Sequence, residues 1–258
     1  MSDYQSNEII TAQQVREAIS TALPEAGQDV LIHASLGRLG HFESGIEDLI
    51  SVIREAAAPD GTVIMMTDTR SFARTGRFSL DQPSETGLLT ERFRQSEGVR
   101  RSVVPMVSYC AAGPSAEFYT QPYDSHLDET STIKRLLDRD GMIMLMGVSY
   151  EKCTLFHLAE ERHGTPYNFY KEFDGVLVEG DRPVGPISQR YYVRRDMSVR
   201  KDPAVAGAML EDRGLATITP LGRGLVRTFR ARDFDACCME ALDANPNAFL
   251  ISGREAAG

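Results

Sequence analysis

Apolar positions recur at helical spacing from Thr11 to Leu23, where Val15, Ala18, Ile19 and Ala22 share one face; Thr11 is placed to cap the start and Pro24 to stop the end. Asp29-Val-Leu-Ile-His-Ala34 is a short, nearly continuous apolar run and predicts a buried strand. A glycine-containing turn, Ser35 to Gly40, leads to a helix over Ile46 to Ala57, the Asp60-Gly61 turn and a second buried strand over Thr62 to Thr67. That order predicts a parallel α/β unit. Asp68 to Glu85 carries turn signals and arginines but no period, which predicts a long loop. Helical spacing resumes over Leu88 to Ser96, and Ser102 to Ser108 is a third apolar segment whose Pro105 suggests an edge or a strand start. A polar loop, Tyr119 to Asp128, precedes a helix over Ser131 to Asp138 and a buried strand over Gly141 to Val148.

Beyond His163 the pattern shortens. Phe173 to Val178, Ser188 to Val193, Ala216 to Thr219 and Leu225 to Phe229 read as antiparallel strands between Gly, Pro and charged turns, with a closing helix from Asp233 to Leu242. No repeat or low-complexity linker divides the chain. The expected architecture is therefore one α/β domain over residues 1–258, with a central mixed, largely parallel sheet flanked by helices and added antiparallel strands in the last third.

Composition narrows the function classes. The 258 residues suffice for a sizeable core, and 42% hydrophobic with 25% charged residues is ordinary for a globular protein. A formal charge of −9 argues against nucleic-acid binding, which requires a positive field. No apolar run approaches membrane-spanning length, and Met1 to Glu8 lacks the basic and apolar regions of a secretory leader, so a cytoplasmic chain is expected. Cys110, Cys153, Cys237 and Cys238 show no zinc-site spacing and read as free thiols. The five histidines are scattered, and no metal is expected.

The chemistry concentrates after the strand ending at Val148. A brief polar turn leads to Thr154-Leu-Phe-His157-Leu-Ala-Glu160, which places an imidazole and, one turn on, a carboxylate on the same helical face. Strand ends that lead into helices are where open α/β sheets hold ligands. An imidazole with a pKa near neutrality is suited to take a proton from an attacking amine. Glu160 is placed either to orient that imidazole or to hold a substrate ammonium. Cys153 would permit an acyl-enzyme, although a small semi-buried thiol is the simpler reading. His126 stands in a loop where it could touch an acceptor, although exposure at the surface is the simpler reading.

Several segments resemble the aminoglycoside 3-N-acetyltransferases, the antibiotic N-acetyltransferase family. They are His33-Ala-Ser-Leu36, Pro59 through Met65, Arg101 through Gly113, Gly147 through Glu160, and Asn245 through Leu250. The resemblance implies acetyl transfer from acetyl-coenzyme A to an amine of an aminoglycoside or another small amine, by direct attack on the thioester. It gives His157 the general-base role, with Glu160 supporting the same site. It also sets coenzyme A beside the first turn, so His33, Ser35 and Leu36 inherit cofactor contacts and Arg38 adds charge; Thr67 and Ser108 match further positions near the thioester. Two alternatives stay open: a biosynthetic acyltransferase of the same fold using a different acyl donor, and a non-catalytic relative that binds coenzyme A. Oligomeric state also stays open, a homodimer among the options.

Three departures from the family pattern bear on the acceptor. Val104-Pro105 stands where His-Pro is usual, Met66-Thr-Asp-Thr69 where Pro-Thr-Phe-Thr is common, and Asp124 to Ser131 replaces a Gly-x-x-Ser-Pro loop. Arg70, Arg74 and Arg77 would suit either an anionic acceptor or coenzyme A phosphates, whereas Asp124, Asp128 and Glu129 would suit a cationic amine.

Overall fold

The computed structural model describes residues 9–251; the N-terminal segment read above for a leader lies outside the described residues. Nine strands carry the framework: β1 (Val30–Ala34), β2 (Val63–Met66), β3 (Arg100–Arg101), β4 (Tyr109–Ala112), β5 (Met142–Met146), β6 (Asn168–Glu179), β7 (Arg182–Arg194), β8 (Ala216–Leu221) and β9 (Gly224–Arg230). The principal helices are α1 (Ala12–Ala22), α2 (Gly45–Ala57), α3 (Leu88–Arg94), α4 (Thr132–Asp138), α5 (Leu155–His163), α6 (Ala204–Asp212) and α7 (Ala231–Ala244).

Seven strands form one mixed sheet in the order β8-β9-β5-β1-β2-β4-β3. Parallel pairing is confined to its centre, β5 with β1 and β1 with β2, while the outer pairings on both sides are antiparallel. The parallel character expected for the sheet thus holds only among its three central strands. The flanks are two hairpins, β8–β9 and β3–β4, each set antiparallel to the centre through β9 and β4.

Alternation along the strands feeds two cores. Leu31, Ile64, Ile143 and Leu145 enter the cluster built with α4, α5, α6 and α7. Val30, Ile32, Val63, Met65, Met144 and Met146 enter the opposite one with α1, α2 and α3. A sheet covered on both faces explains why its central strands read as unbroken apolar runs rather than alternating ones. Thr11 caps α1 as expected, exchanging bonds with Gln14 in a capping box, and Ser131 accepts from the Lys134 backbone at the start of α4.

Several expectations are corrected. Ser102 to Ser108 forms no strand; it is the loop of the β3–β4 hairpin, closed by Ser102 N–H to Tyr109 C=O at 2.9 Å, with Met106 at φ 61°. Its apolarity reports burial of Val104, Met106 and Val107 in the core. The loop from Asp68 to Glu85 contains a helical turn, Phe72–Thr75, and a strand, Arg77–Phe78, that pairs parallel with β6. The pieces near Phe173 and Ser188 belong to one long antiparallel hairpin, β6–β7, outside the main sheet. Helix α6 lies in a stretch that the sequence reading left without an element, as does the helical turn Ala116–Tyr119 just ahead of the polar loop.

Candidate functional site

Strand β1 sits between β5 and β2, so the chain leaves it in one direction and returns on the other side. The crevice beyond the carboxyl ends of such strands is the usual ligand position of an open α/β sheet. Here it is a cavity of about 780 Å³, walled by β1 and its turn, the segment leading into α5, strand β7, and the short strand Arg200–Lys201. Close backbone approach holds the ends of β1 and β5 together beside it. Gly147, at the end of β5, has φ +66°, and a Cβ there would stand 2.8 Å from the Ser35 carbonyl. A smaller cavity of about 480 Å³, against α2, is lined by Glu47, Arg54 and Glu55 and by no histidine or cysteine.

His157 lines the larger cavity with 32% of its side chain exposed, while Glu160 behind it is fully buried. His157 Nδ1 lies 2.8 Å from Glu160 Oε2. Two further groups hold the carboxylate: Lys201 Nζ at 2.6 Å from Oε2, and the Tyr167 hydroxyl, which donates to Oε1 at 2.9 Å. Burial pushes Glu160 upward, but the hydrogen bond and charge of His157, with Lys201, outweigh it and hold the carboxyl below its ordinary range. Burial and the nearby Lys201 ammonium lower His157, against the pull of Glu160. The ring is thus anchored through Nδ1, and Nε2 has no partner among the described residues.

Of the residues expected to contact the cosubstrate, His33, Ser35 and Arg38 line the cavity. Burial lowers His33 to about 4, so it is neutral, and its Nε2 lies 3.4 Å from Thr154 Oγ1. Thr154 makes no capping bond to α5. Leu36, in the short 3-10 turn after β1, packs partly against the second core instead. Thr67 and Ser108 are fully buried and do not line the cavity. The Ser108 hydroxyl donates to the Thr67 carbonyl at 2.6 Å and accepts from Arg101 Nε at 3.1 Å, so both hydroxyls serve the sheet.

His126 is not at the surface. It is 6% exposed, stacks on Tyr191 at 4.5 Å and lines the cavity. Burial pushes it down to about 3. Of the three loop arginines only Arg70 reaches the cavity, held at 3.0 Å from the buried Asp68. Asp128 caps the backbone of Ser125 and Thr130, and Glu129 pairs with Lys134; neither they nor Asp124 line the cavity. Cys153 is buried, and its thiol is pushed up to about 12, which removes the thiolate an acyl-enzyme requires. Among the described residues no group of three or more His, Cys, Asp or Glu is arranged to hold a metal, and no helix is long and apolar enough to cross a membrane.

Lys201 and Tyr167 escaped the sequence reading. Lys201 lies 41 residues beyond Glu160, and no local pattern marks a lysine that a later strand returns to a helix face. Tyr167, seven residues on, follows the Gly164 that ends α5.

Comparison with known proteins gives one answer. The family model described as aminoglycoside 3-N-acetyltransferase matches residues 31–243. The chain is 28% identical over 236 residues to aminoglycoside N(3)-acetyltransferase IV of Salmonella sp, covering 87% of this chain and 84% of that protein. It is 31% identical over 171 residues to aminoglycoside N(3)-acetyltransferase III of Salmonella sp, covering 58% of this chain and 60% of that one. Among solved structures, the apoenzyme of AAC(3)-IVa superposes with a TM-score of 0.77 at 23% identity, over 96% of this chain and 94% of that one. A binary complex of AAC-IIIb with CoASH gives 0.76 at 20% identity, over 92% and 97%. The chain belongs to the aminoglycoside 3-N-acetyltransferase family, a family of acetyl-coenzyme A-dependent N-acetyltransferases.

Proposed function

We propose that this protein transfers an acetyl group from acetyl-coenzyme A to the amine of a small acceptor, an aminoglycoside or another small amine, with His157 as general base and no covalent acyl-enzyme. The observation that carries this reading is the imidazole at the cavity wall, anchored through Nδ1 by Glu160 and open at Nε2. Nε2 takes the proton of the attacking amine as nitrogen bonds to the thioester carbon. The carbon–sulfur bond then breaks, and the imidazolium returns that proton to the departing thiolate. Glu160 keeps the ring in one tautomer and orientation and balances the positive charge that forms on it.

Ser35 and Arg38 of the turn after β1 bring a hydroxyl and a guanidinium to the same cavity, and Lys152 and Arg200 add cations along its rim. These suit the phosphates of coenzyme A. Thiol release from acetyl-coenzyme A in the presence of an amine panel tests the reading. A His157→Ala protein that keeps its fold and its rate would end the assignment of His157.

One observation favours an acceptor outside the polycationic antibiotics. Cationic side chains lining the cavity are Arg38, Arg70, Lys152, Arg194, Arg200 and Lys201, against the carboxylates Glu85 and Glu151 alone. Glu160 and Asp68 behind Lys201 and Arg70, and the coenzyme A phosphates once bound, offset part of this excess; what remains gives a polycation less attraction than a carboxylate-lined pocket would. In this second reading the acceptor is a small amine that brings negative charge of its own. Running gentamicin beside amino acids and phosphorylated amines in the same assay separates the two, since turnover of gentamicin alone removes the second reading.

A further inference from the structure

Among the described residues, Lys201 is the cation driven against the His157–Glu160 pair. It reaches there on the short strand Arg200–Lys201, which pairs antiparallel with Leu250–Ile251. Only 8% of its side chain is exposed. Its ammonium donates to Glu160 Oε2 at 2.6 Å and reaches Asn168 Oδ1 at 3.4 Å, and it stands 3.2 Å from His157 Nδ1.

The last contact and the 2.8 Å contact between Nδ1 and Glu160 make opposite demands on one nitrogen. A lone pair on Nδ1 would suit the ammonium but would face a carboxylate oxygen at the shorter distance. A proton on Nδ1 suits the carboxylate and faces the ammonium. The shorter contact, to the carboxylate, selects the Nδ1-protonated ring, so the lysine is not a donor to the imidazole. It is a fixed positive charge at the edge of a ring that must stay neutral to act.

We propose that Lys201 is a positioning residue for His157: clamped on the oxygen that His157 also uses, its ammonium holds Glu160 ionised, so that the carboxylate can keep the Nδ1-protonated tautomer, and opposes a second proton on the ring. The catalytic meaning of this rests on the base role given to His157 above. The ring then enters each turnover with Nε2 free, and the imidazolium formed during attack is strained toward releasing its proton to the leaving thiolate. The proton taken from the amine nitrogen is the one delivered to sulfur, and Lys201 exchanges none.

Other charged or titratable groups also face the ring. Glu160, on the same helix, favours its protonation, whereas Arg194 on β7 opposes it. His126, from the loop before α4, interacts with both His157 and Lys201 and is itself neutral. Tyr167 donates to the far oxygen of Glu160 and carries no charge. Among these groups Lys201 is the cation in contact with the ring.

The test reads the protonation of His157 directly. The intact protein is treated with diethyl pyrocarbonate across a pH series, and modification of His157 is followed by peptide mass mapping; the midpoint reports the fraction of neutral ring. Lys201→Met and Lys201→Gln remove the charge, Lys201→Gln keeping a hydrogen-bond donor for Glu160, while Lys201→Arg keeps the charge. Both neutral variants are expected to raise the midpoint by about one pH unit or more, a tenfold change in the protonation equilibrium, with Lys201→Arg close to the parent. Folded neutral variants whose midpoints match the parent, or fall below it, overturn the proposal. If Lys201→Met does not fold, the Lys201→Gln and Lys201→Arg pair decides. The probe uses neither acetyl-coenzyme A nor an amine, so its outcome is separate from the thiol-release assay that judges acetyl transfer.

Discussion

Acid should loosen this protein through histidines buried in neutral form, and His126→Phe should remove a measurable share of the effect. Burial pushes His126 down to about 3 and His33 to about 4, both from an ordinary value of 6.5. The sign follows from linkage. Above about pH 6.5 the ring is neutral in both states; below it the unfolded chain takes up a proton that the folded chain refuses, so stability falls with pH until the folded value is reached. At about 1.4 kcal/mol per pH unit, each histidine removes about 2 kcal/mol between about pH 7 and about pH 5.

Asp68 works in the opposite direction. Burial, against the charge of Arg70, raises it from 3.8 to about 6, so the folded chain binds a proton first and gains about 1 kcal/mol over the same interval. The three groups together predict a loss of about 3 kcal/mol in the parent and about 1 kcal/mol in His126→Phe, whose ring keeps the stack on Tyr191. Urea unfolding at both pH values measures this as a shift of midpoint at constant slope. If parent and variant lose the same free energy within about 0.5 kcal/mol, His126 takes up its proton in the folded state and the reasoning is refuted.

Gly147→Ala should destabilise the fold by about 2 kcal/mol or more, since φ +66° and a Cβ 2.8 Å from the Ser35 carbonyl leave no relaxed arrangement; an unchanged thermal midpoint would contradict it. Ser108→Ala leaves Arg101 Nε without its hydroxyl acceptor, and should cost about 1–3 kcal/mol in unfolding experiments. Because Ser108 does not line the cavity, the KM for acetyl-coenzyme A should not move; a raised KM at unchanged stability would return Ser108 to the cofactor site. Cys153→Ala should retain acetyl transfer, and iodoacetamide should label none of the four buried cysteines in the folded protein. Loss of turnover in folded Cys153→Ala would reopen the acyl-enzyme route.

The parts of the fold legible in the sequence are those whose signal is local. Helix α1 announces itself because Thr11, Val15, Ala18, Ile19 and Ala22 state the cap and the buried face within three turns. Strands β1, β2 and β5 announce themselves because both of their faces are buried, which leaves apolar runs too short for helices. The same signal misleads at Val104-Pro-Met-Val107. Those side chains enter the core from a hairpin loop, and hydrophobicity records burial, not backbone conformation. The β6–β7 hairpin is legible only in fragments because much of its length is solvent-exposed, so the alternation that marks a half-buried strand is weak.

The site divides along the same line. His157 and Glu160 were legible because a helix brings residues three apart to one face, and their 2.8 Å contact is that geometry realised. Lys201, His126 and Arg194 enter from separate elements, and only tertiary packing selects them. Thr67 and Ser108 show the converse hazard. A hydroxyl at the end of a buried strand near a ligand crevice looks the same in sequence whether it faces the crevice or bonds a neighbouring carbonyl, and here the 2.6 Å bond from Ser108 to the Thr67 backbone decides for the sheet. Departures from the family pattern acquire physical meaning in this way. The loop containing His126 places a neutral imidazole against Tyr191 at the cavity wall, and its carboxylates turn back on the loop. Asp128 is spent on its own loop's backbone and Glu129 pairs with Lys134, and neither they nor Asp124 line the cavity. In the second reading proposed above, the cations that face the cavity, more than the carboxylates of this loop, would set which acceptor is taken.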